Sequence, residues 1–456
     1  MSLQVIILAA GKGTRMRSSL PKVLHKLADK SLLEHVIHTA KKLNPDKIVV
    51  VYGHGGEIVP KTLAHLEVDW ILQEQQLGTG HAVDEAMGKI TSKGRVLVLY
   101  GDVPLTKVST LQTLLAKKRD NDQSLSLLTA RLNDPTGYGR IVRNSQEAVI
   151  KIVEQKDAND NELEINEINT GILCADATSL KHWLKQLDNN NAQQEFYLTD
   201  IVEKAVSENI AIDTASAENI WEIEGVNNKR QLANLERVFQ SLTADSLMER
   251  GVTLRDPNRI DVRGNLSCGQ DVVIDVNVVF EGDVTLGNEV YIGANSLIKN
   301  AIIGDSVNVV SNSIIENAVV GNGCEIGPFA RIRPDTKLED GVKVGNFVEV
   351  KKSNIGEGSK INHLSYVGDT IMGQNVNVGA GTITCNYDGA NKHITEIGDN
   401  VFVGSSSQLV APVKIGSGAT IGAGSTITRD VPESKLTLSR SKQTTITSWI
   451  RPVKPK

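Results

Sequence analysis

Aromatic residues make up only 4% of the 456-residue chain, too few for the stacking platforms on which nucleic-acid bases lie. Nor is there a surplus of positive charge: 49 Lys and Arg face 54 Asp and Glu, a formal net charge of −5. Proteins that bind by neutralising a phosphate backbone carry a basic excess, so no nucleic-acid partner is expected. Cysteine is scarce and dispersed. The four, Cys174, Cys268, Cys324 and Cys385, form no C-x-x-C pair, which leaves no zinc signature and suits a reducing cytosol. No apolar run approaches the roughly 18 residues needed to span a bilayer. The apolar start, Val5 to Ala10, is short, has no basic leader and runs straight into Gly11-Lys12-Gly13. It reads as a buried strand feeding a loop, not a signal peptide. A soluble cytoplasmic protein without membrane insertion is expected.

What is present falls into two halves. Of 39 glycines, 15 precede residue 252 and 24 lie between Gly264 and Gly424. The first half alternates strand-like runs (Val5–Leu8, Ile48–Val51, Val96–Leu99) with helical spacing such as Leu32, Leu33, Val36, Ile37 and Ala40. That alternation predicts an α/β domain with a mainly parallel sheet and ligands at its carboxyl edge. Leu232, Leu235, Val238, Phe239 and Leu242 then recur three or four residues apart, predicting an amphipathic connecting helix. The expected division is residues 1–227, a linker helix over 228–250, and 251–456.

The second half repeats. Gly287 and Gly293 are six apart, as are Gly321 and Gly327, Gly373 and Gly379, Gly398 and Gly404, and Gly416 and Gly422. Each follows an aliphatic or Met residue, and the phase continues through Ile332, Leu338 and Leu409. A six-residue period predicts a parallel β-helix in which each hexapeptide forms one flat face of a coil. Phase slips between Gly379 and Gly398 leave room for a protruding loop around Cys385–Lys392. Flat outer faces suit side-by-side assembly, three-fold packing included. The last segment, Arg429 to Lys456, has seven basic and two acidic residues, fitting a solvated tail or an arm that meets an anionic cofactor.

Leu8-Ala9-Ala10-Gly11-Lys12-Gly13-Thr14-Arg15-Met16 follows the first strand, with Pro21-Lys22 close behind. The dinucleotide fingerprint would need glycine at Met16, and the G-x-x-x-x-G-K-[ST] pattern is missing. What remains is a small-residue loop whose backbone N–H groups can approach a phosphate, with Arg15 and Lys22 in reach to neutralise it. Together these residues resemble the signature of the sugar-1-phosphate nucleotidylyltransferases. Joined to the hexapeptide half, the chain resembles, essentially end to end, the bacterial bifunctional N-acetylglucosamine-1-phosphate uridylyltransferase/glucosamine-1-phosphate acetyltransferases.

The resemblance implies a Rossmann-like nucleotidyltransferase domain followed by a left-handed parallel β-helix, and UDP-N-acetylglucosamine made for peptidoglycan and lipopolysaccharide synthesis. Tyr100-Gly101-Asp102-Val103-Pro104 ends a strand and offers Asp102 as a hard-oxygen ligand for Mg²⁺. The family's second metal ligand maps onto Asn227. Its nucleotide pocket maps onto Leu8, Ala9, Ala10, Gly11, Lys22, Gln73, Gly78, Thr79, Tyr100 and Gly101, and its sugar positions onto Gly139, Glu154 and Asn169. A sugar 1-phosphate oxygen is already anionic, so the reaction needs no general base. Holding it in line with the α-phosphorus of UTP and neutralising charge suffices. Arg15, Lys22 and Mg²⁺ suit that task.

On the coils, Asn362-His363-Leu364-Ser365-Tyr366 presents a histidine among polar residues. Imidazole is the side chain best poised to take a proton near neutral pH. The resemblance makes His363 the base that deprotonates the amine of glucosamine 1-phosphate, with Glu349 orienting it. It assigns Arg333, Lys351, Tyr366, Asn377, Asn386 and Tyr387 to the sugar phosphate and its surroundings. Acetyl-coenzyme A falls to Ala380, Asn386, Tyr387, Ser405, Ala423 and Arg440. Cys324 and Cys385 are bystanders, because direct attack by the amine needs no acyl-enzyme. The partners expected are these small molecules and two further copies of the chain, as a homotrimer. Two alternatives stand beside it: a nucleotidylyltransferase whose β-helix only scaffolds, and an assembly module with a vestigial first domain.

Overall fold

The computed structural model describes residues 2–53, 56–117 and 124–454. The chain divides into two compact units, Met1–Phe239 and Gln240–Lys456. The division falls inside the helix Lys229–Glu249, the stretch expected as a linker. In the first unit Leu235 is buried with Met16, Leu27, Leu32 and Val226. In the second, Ala244 and Leu247 join the coil interior, and the Gln240 side chain bonds both the N–H and the C=O of Val262. Leu242, counted in the apolar stripe, is 38% exposed; the buried face of the helix runs through Ala244 and Leu247 instead.

The first unit is a nine-stranded sheet. Its main path runs Ile212–Ser216, Leu125–Arg131, Glu167–Asp176, Arg95–Tyr100, Leu3–Ala9, Lys47–Tyr52 and Asp69–Leu72. Leu3–Ala9 is buried on both faces: Ile6 and Leu8 enter one apolar cluster, Val5, Ile7 and Ala9 the other. That is the burial expected of a strand covered by helices on both sides. It pairs in parallel with Lys47–Tyr52 on one side and Arg95–Tyr100 on the other. The strand order therefore reverses at its carboxyl end, which opens a crevice there. One strand departs from the parallel expectation. Glu167–Asp176 runs antiparallel between two neighbours, and the hairpin Arg140–Arg143/Val149–Val153 hangs from it. An apolar run gives no sign of its direction; tertiary pairing sets it.

In the second unit the strand pairings are parallel, with one antiparallel bridge between Tyr387 and Lys392. Registers such as Asn308, Glu325, Lys343, Lys360 and Asn377 repeat as the chain advances 17 or 18 residues per coil. One coil is longer: a bond from Gln374 to Asp399 spans 25 residues, and the surplus is the loop that holds Asn386 to His393. The aliphatic residue of each hexapeptide points inward; Leu286, Ile292, Ile326, Val378, Val403 and Ile421 are all buried.

Coil corners use left-handed backbone, and most of these positions carry Asn, Asp, Ser or Gly, the residues that tolerate it. One corner differs. Phe329, Phe347 and Leu364 have φ of 56°, 55° and 49° and are at least half exposed. The two phenyl rings stack with centroids 5.3 Å apart.

Ile361 lies at the centre of this interior with no exposed surface. Replacing it with Ala is expected to cost about 2–5 kcal/mol, read as a lower melting temperature for the full chain.

Candidate active sites

In the first unit, the strand Leu3–Ala9 delivers Ala10-Gly11-Lys12-Gly13 into the crevice and the chain turns through Thr14–Met16. Gly13 has φ 60°, and a Cβ there would lie 2.7 Å from Cβ of Lys22. The missing side chain lets the loop close onto the Lys22 segment. The Lys22 ammonium donates to a carboxylate oxygen of Asp102 and, at 3.2 Å, to Oδ1 of Asn227. Arg15 Nη2 donates to the same Asn227 oxygen at 3.0 Å. Asn227 is oriented from behind: its N–H donates to Gln231 Oε1 at 2.8 Å, and its Nδ2 donates to the Gly225 carbonyl at 3.4 Å. Three distant stretches of sequence, holding Arg15 and Lys22, Asp102, and Asn227, thus meet at one place.

Of these four, Lys22 and Asp102 border a cavity of about 430 Å³. Leu8, Ala9, Ala10, Gly11, Lys22, Gln73, Gly78, Thr79, Tyr100 and Asp102 line it. Gln73 is buried, its amide donating to the Gly78 carbonyl at 3.2 Å and meeting His81 Nδ1 at 2.9 Å. Gly101 packs beneath, its N–H donating to the Leu8 carbonyl at 2.9 Å. Gly139, Glu154 and Asn169 form a second group. Asn169 N–H donates to the Gly139 carbonyl at 2.8 Å, and Thr199 Oγ1 donates to Glu154 at 3.2 Å. Tyr100 sits between the two groups. Burial pushes its phenol up, and the negative charges of Glu154 and Asp102 add to the effect. A Cβ on Gly171, at φ 84°, would strike the Tyr100 ring at 2.5 Å.

Burial also raises the Glu154 carboxyl, helped by Asp157 and opposed by Thr199. Beside it, burial followed by Asp188 and Glu154 pushes Asp200 up to about 6. Around Glu154 and Asp200, negative charge is therefore poorly tolerated.

On the coil, His363 ends the strand Lys360–His363 and is exposed. Its Nδ1 meets Asn346 Oδ1 at 2.9 Å, the residue stacked beneath it in register. Glu349 was expected to orient His363. Glu349 stacks under Tyr366, and its carboxylate takes a hydrogen bond from Arg333 Nη1 at 2.7 Å. Arg333 and Glu349 adjoin Tyr366, whose hydroxyl accepts from Asn386 Nδ2 at 3.5 Å. Asn386 is buried and donates to Asp369 at 2.5 Å. Asn377 lies on another face, stacked between Lys360 and Phe402. Tyr387 is exposed on the protruding loop. Ala380, Ser405 and Ala423 stand one above the other on successive coils. A Cβ on Gly379 would meet Ser405 N, and one on Gly404 would meet Ala423 N. Arg440 closes the column, donating to the Ala423 carbonyl at 2.8 Å.

Residues 5–156 match a family described as MobA-like NTP transferase domain, 262–338 the GMPPB C-terminal domain, and 394–429 the bacterial transferase hexapeptide (six repeats). The chain is 56% identical over 452 residues to Bifunctional protein GlmU of Idiomarina loihiensis, covering 99% of each chain. It is 57% identical over 454 residues to Bifunctional protein GlmU of a Janthinobacterium species, covering 100% of each. The chain belongs to the GlmU family. It is a bifunctional transferase, with a nucleotidyltransferase unit followed by a hexapeptide transferase unit.

Within this GlmU chain, sequence reading passed over three residues. Gln76 lines the cavity and donates to the Ala10 carbonyl at 2.5 Å; its place just before Leu77-Gly78 was a usable signal. Lys392 was noted only as a loop boundary. Its ammonium is pushed down by Lys351, through side-chain interaction first and like charge second, and Tyr366 also acts on it. Asn346 was missed because its meeting with His363 depends on coil register. The cysteines behave as bystanders: burial pushes Cys324 up to about 11 and raises Cys385, which keeps the nucleophilic thiolate rare near neutral pH.

Asp200 yields a pH prediction. Its folded carboxyl titrates near 6 against an ordinary value of 3.8, so the folded state holds the proton more tightly and loses stability as pH rises from about 4 to above 6. Partial exposure discounts the effect. Asp200→Asn is expected to raise the melting temperature by about 2–4 °C at about pH 7.5, with the gain gone below about pH 4 in the same thermal scans.

Proposed function

We propose that the coil transfers acetyl from acetyl-coenzyme A to the 2-amino group of glucosamine 1-phosphate, and that the first unit then joins the product to UTP. The products are UDP-N-acetylglucosamine and pyrophosphate. The observation that carries the acetyl step is an exposed imidazole hydrogen-bonded to a carboxamide oxygen on the coil below. A carboxamide oxygen only accepts, so Nδ1 carries the hydrogen and Nε2 keeps its lone pair. His363 Nε2 takes a proton from the amine as nitrogen attacks the thioester carbonyl. The new C–N bond forms, the C–S bond breaks, and the proton passes to the departing coenzyme A sulfur. Arg333, Lys351 and Lys392 supply the positive charge for the sugar phosphate, and Arg333 is braced by Glu349. The column Ala380, Ser405 and Ala423 gives the pantetheine arm close access to backbone, with Arg440 at its end for cofactor phosphate.

In the first unit, the donor set fits Mg²⁺. One carboxylate and one carboxamide oxygen converge on the Lys22 ammonium, hard oxygens already arranged around a cation. Mg²⁺ is commonly held by one or two such ligands plus substrate phosphate and water. No group of three or more His, Cys, Asp or Glu able to hold a metal occurs among the described residues, so a closed protein cage is not on offer. Held by Asp102 and Asn227, Mg²⁺ would neutralise negative charge on the nucleotide phosphates. Arg15 and Lys22 add positive charge to the transferring phosphate and its leaving group. The loop from Ala10 to Gly13 receives the phosphates, Gln73 with Gly78 and Thr79 faces the base, and Gly139, Glu154 and Asn169 hold the sugar.

The coil assembles as a homotrimer in this reading, supported by the exposed Phe329, Phe347 and Leu364 and by its flat faces. The enzyme is placed in the cytoplasm; among the described residues no helix is long and apolar enough to cross a membrane.

The full chain, given glucosamine 1-phosphate, acetyl-coenzyme A, UTP and Mg²⁺, is expected to release both free thiol and pyrophosphate. His363→Ala should cut thiol release by about 10²–10⁴-fold, while pyrophosphate release recovers when N-acetylglucosamine 1-phosphate is supplied. Asp102→Ala should do the reverse, stopping pyrophosphate and sparing thiol. Loss of both products in Asp102→Ala, or no recovery of pyrophosphate by His363→Ala when N-acetylglucosamine 1-phosphate is supplied, would refute the division of labour.

Asn346→Ala leaves the base in place but removes its partner. It is expected to slow acetyl transfer about tenfold, the size of one lost hydrogen bond, without altering uridylyl transfer, as measured by the same two assays.

A further inference from the structure

Arg140 is among the largest side chains buried in the molecule, with 2% of its surface exposed. Its strand, Arg140–Arg143, pairs with Val149–Val153 and meets Ile168, so a surface hairpin would have let the long side chain reach water. Instead it folds back under its own loop. Nη1 donates to the Tyr138 carbonyl, and Nη2 donates to Gln155 Oε1 at 2.8 Å. The same Gln155 oxygen accepts from the Gly137 N–H at 3.1 Å. The Nε hydrogen has no partner, and no ion pair to Arg140 is found among the described residues. The charge that feels it is Asp134, whose carboxyl is lowered first by Thr136 and in smaller part by Arg140. A buried guanidinium with no direct ion pair is a costly choice where a neutral side chain could fill the space.

What the cost secures is geometry. The fork ties the segment Gly137–Gly139 to Gln155, the residue after Glu154. Gly139 in turn accepts from the Asn169 N–H, and a Cβ on Gly139 would come within 3.4 Å of Glu154 Oε1. Gly139, Glu154 and Asn169 therefore take their relative positions from one clamp beneath them. We propose that Arg140, acting through Gln155, is a positioning residue for the sugar of the acceptor in uridylyl transfer. It touches no reacting atom. The proposal rests on the uridylyl-transfer reading above and adds to it a residue outside the pocket.

The test uses the full chain, with N-acetylglucosamine 1-phosphate, UTP and Mg²⁺, and follows pyrophosphate. Arg140→Lys keeps the charge but loses the planar fork. It is expected to raise KM for the sugar phosphate about tenfold, with KM for UTP unchanged and kcat reduced less than KM rises. Gln155→Ala, at a half-buried position, should produce the same split and decides the matter if Arg140→Lys does not fold. The double variant Arg140→Lys, Gln155→Glu restores a charged contact and should recover most of the lost affinity. A lower melting temperature with sugar KM unmoved, or equal rises in both KM values, would overturn the proposal. Failure of the wild-type chain to form a UDP-sugar would instead overturn the underlying reading.

Discussion

Parallel strand pairing decides which side chains meet in both units. In the first, the adjacent parallel strands Leu3–Ala9 and Arg95–Tyr100 end together, and their loops therefore deliver Gly11 and Asp102 to one crevice. In the second, coils hydrogen-bond to the next 17 or 18 residues on, and 25 on at the coil that carries the loop, so the neighbour of a residue is set by coil register. His363 meets Asn346 for that reason. Slide the pairing by three residues and the base would lose its partner while Arg333 lost its carboxylate. The chemistry of each site is thus a consequence of a backbone ladder that carries no chemistry itself.

Some of this could be read directly from the residues. The hexapeptide period is visible because coil interior and coil corner make opposite demands, aliphatic bulk then small size, and every coil repeats them. The phosphate loop is visible because its parts, Ala10 to Gly13, Arg15 and Lys22, are close in sequence. Asp102 is visible as the residue that ends a buried strand. Less legible were features that depend on long-range pairing. The antiparallel direction of Glu167–Asp176 leaves no trace in its composition. The partner of His363 lies 17 residues away on the coil below, and Glu349 came from the family resemblance, not from coil register. The pairing of Tyr387 with Lys392 across the loop is likewise a matter of the folded chain.

The two sites solve opposite electrostatic problems. Around Glu154 and Asp200 the first unit buries carboxyls and raises their pKa values. At the other group, Arg15 and Lys22 gather positive charge around Asn227. On the coil, Lys351 pushes the Lys392 ammonium down, so positive charge is gathered there rather than dispersed.

The corner at Phe329, Phe347 and Leu364 extends the same logic to assembly. An L-residue in left-handed backbone costs roughly 1–2 kcal/mol, and elsewhere the coil mostly meets that cost with Asn, Asp, Ser or Gly. Here three bulky apolar residues bear it on consecutive coils while exposing half or more of their surface to solvent. Neither backbone preference nor solvation favours them in an isolated coil. Covering them would return about 25 cal/mol for each Å² removed from water, enough over two phenyl rings and a leucine to offset the strain. Phe347 directly follows Asn346, and Leu364 directly follows His363. A neighbouring copy seated on this corner would therefore press on the backbone that carries the base and its partner, so that assembly and the placing of the imidazole become one event.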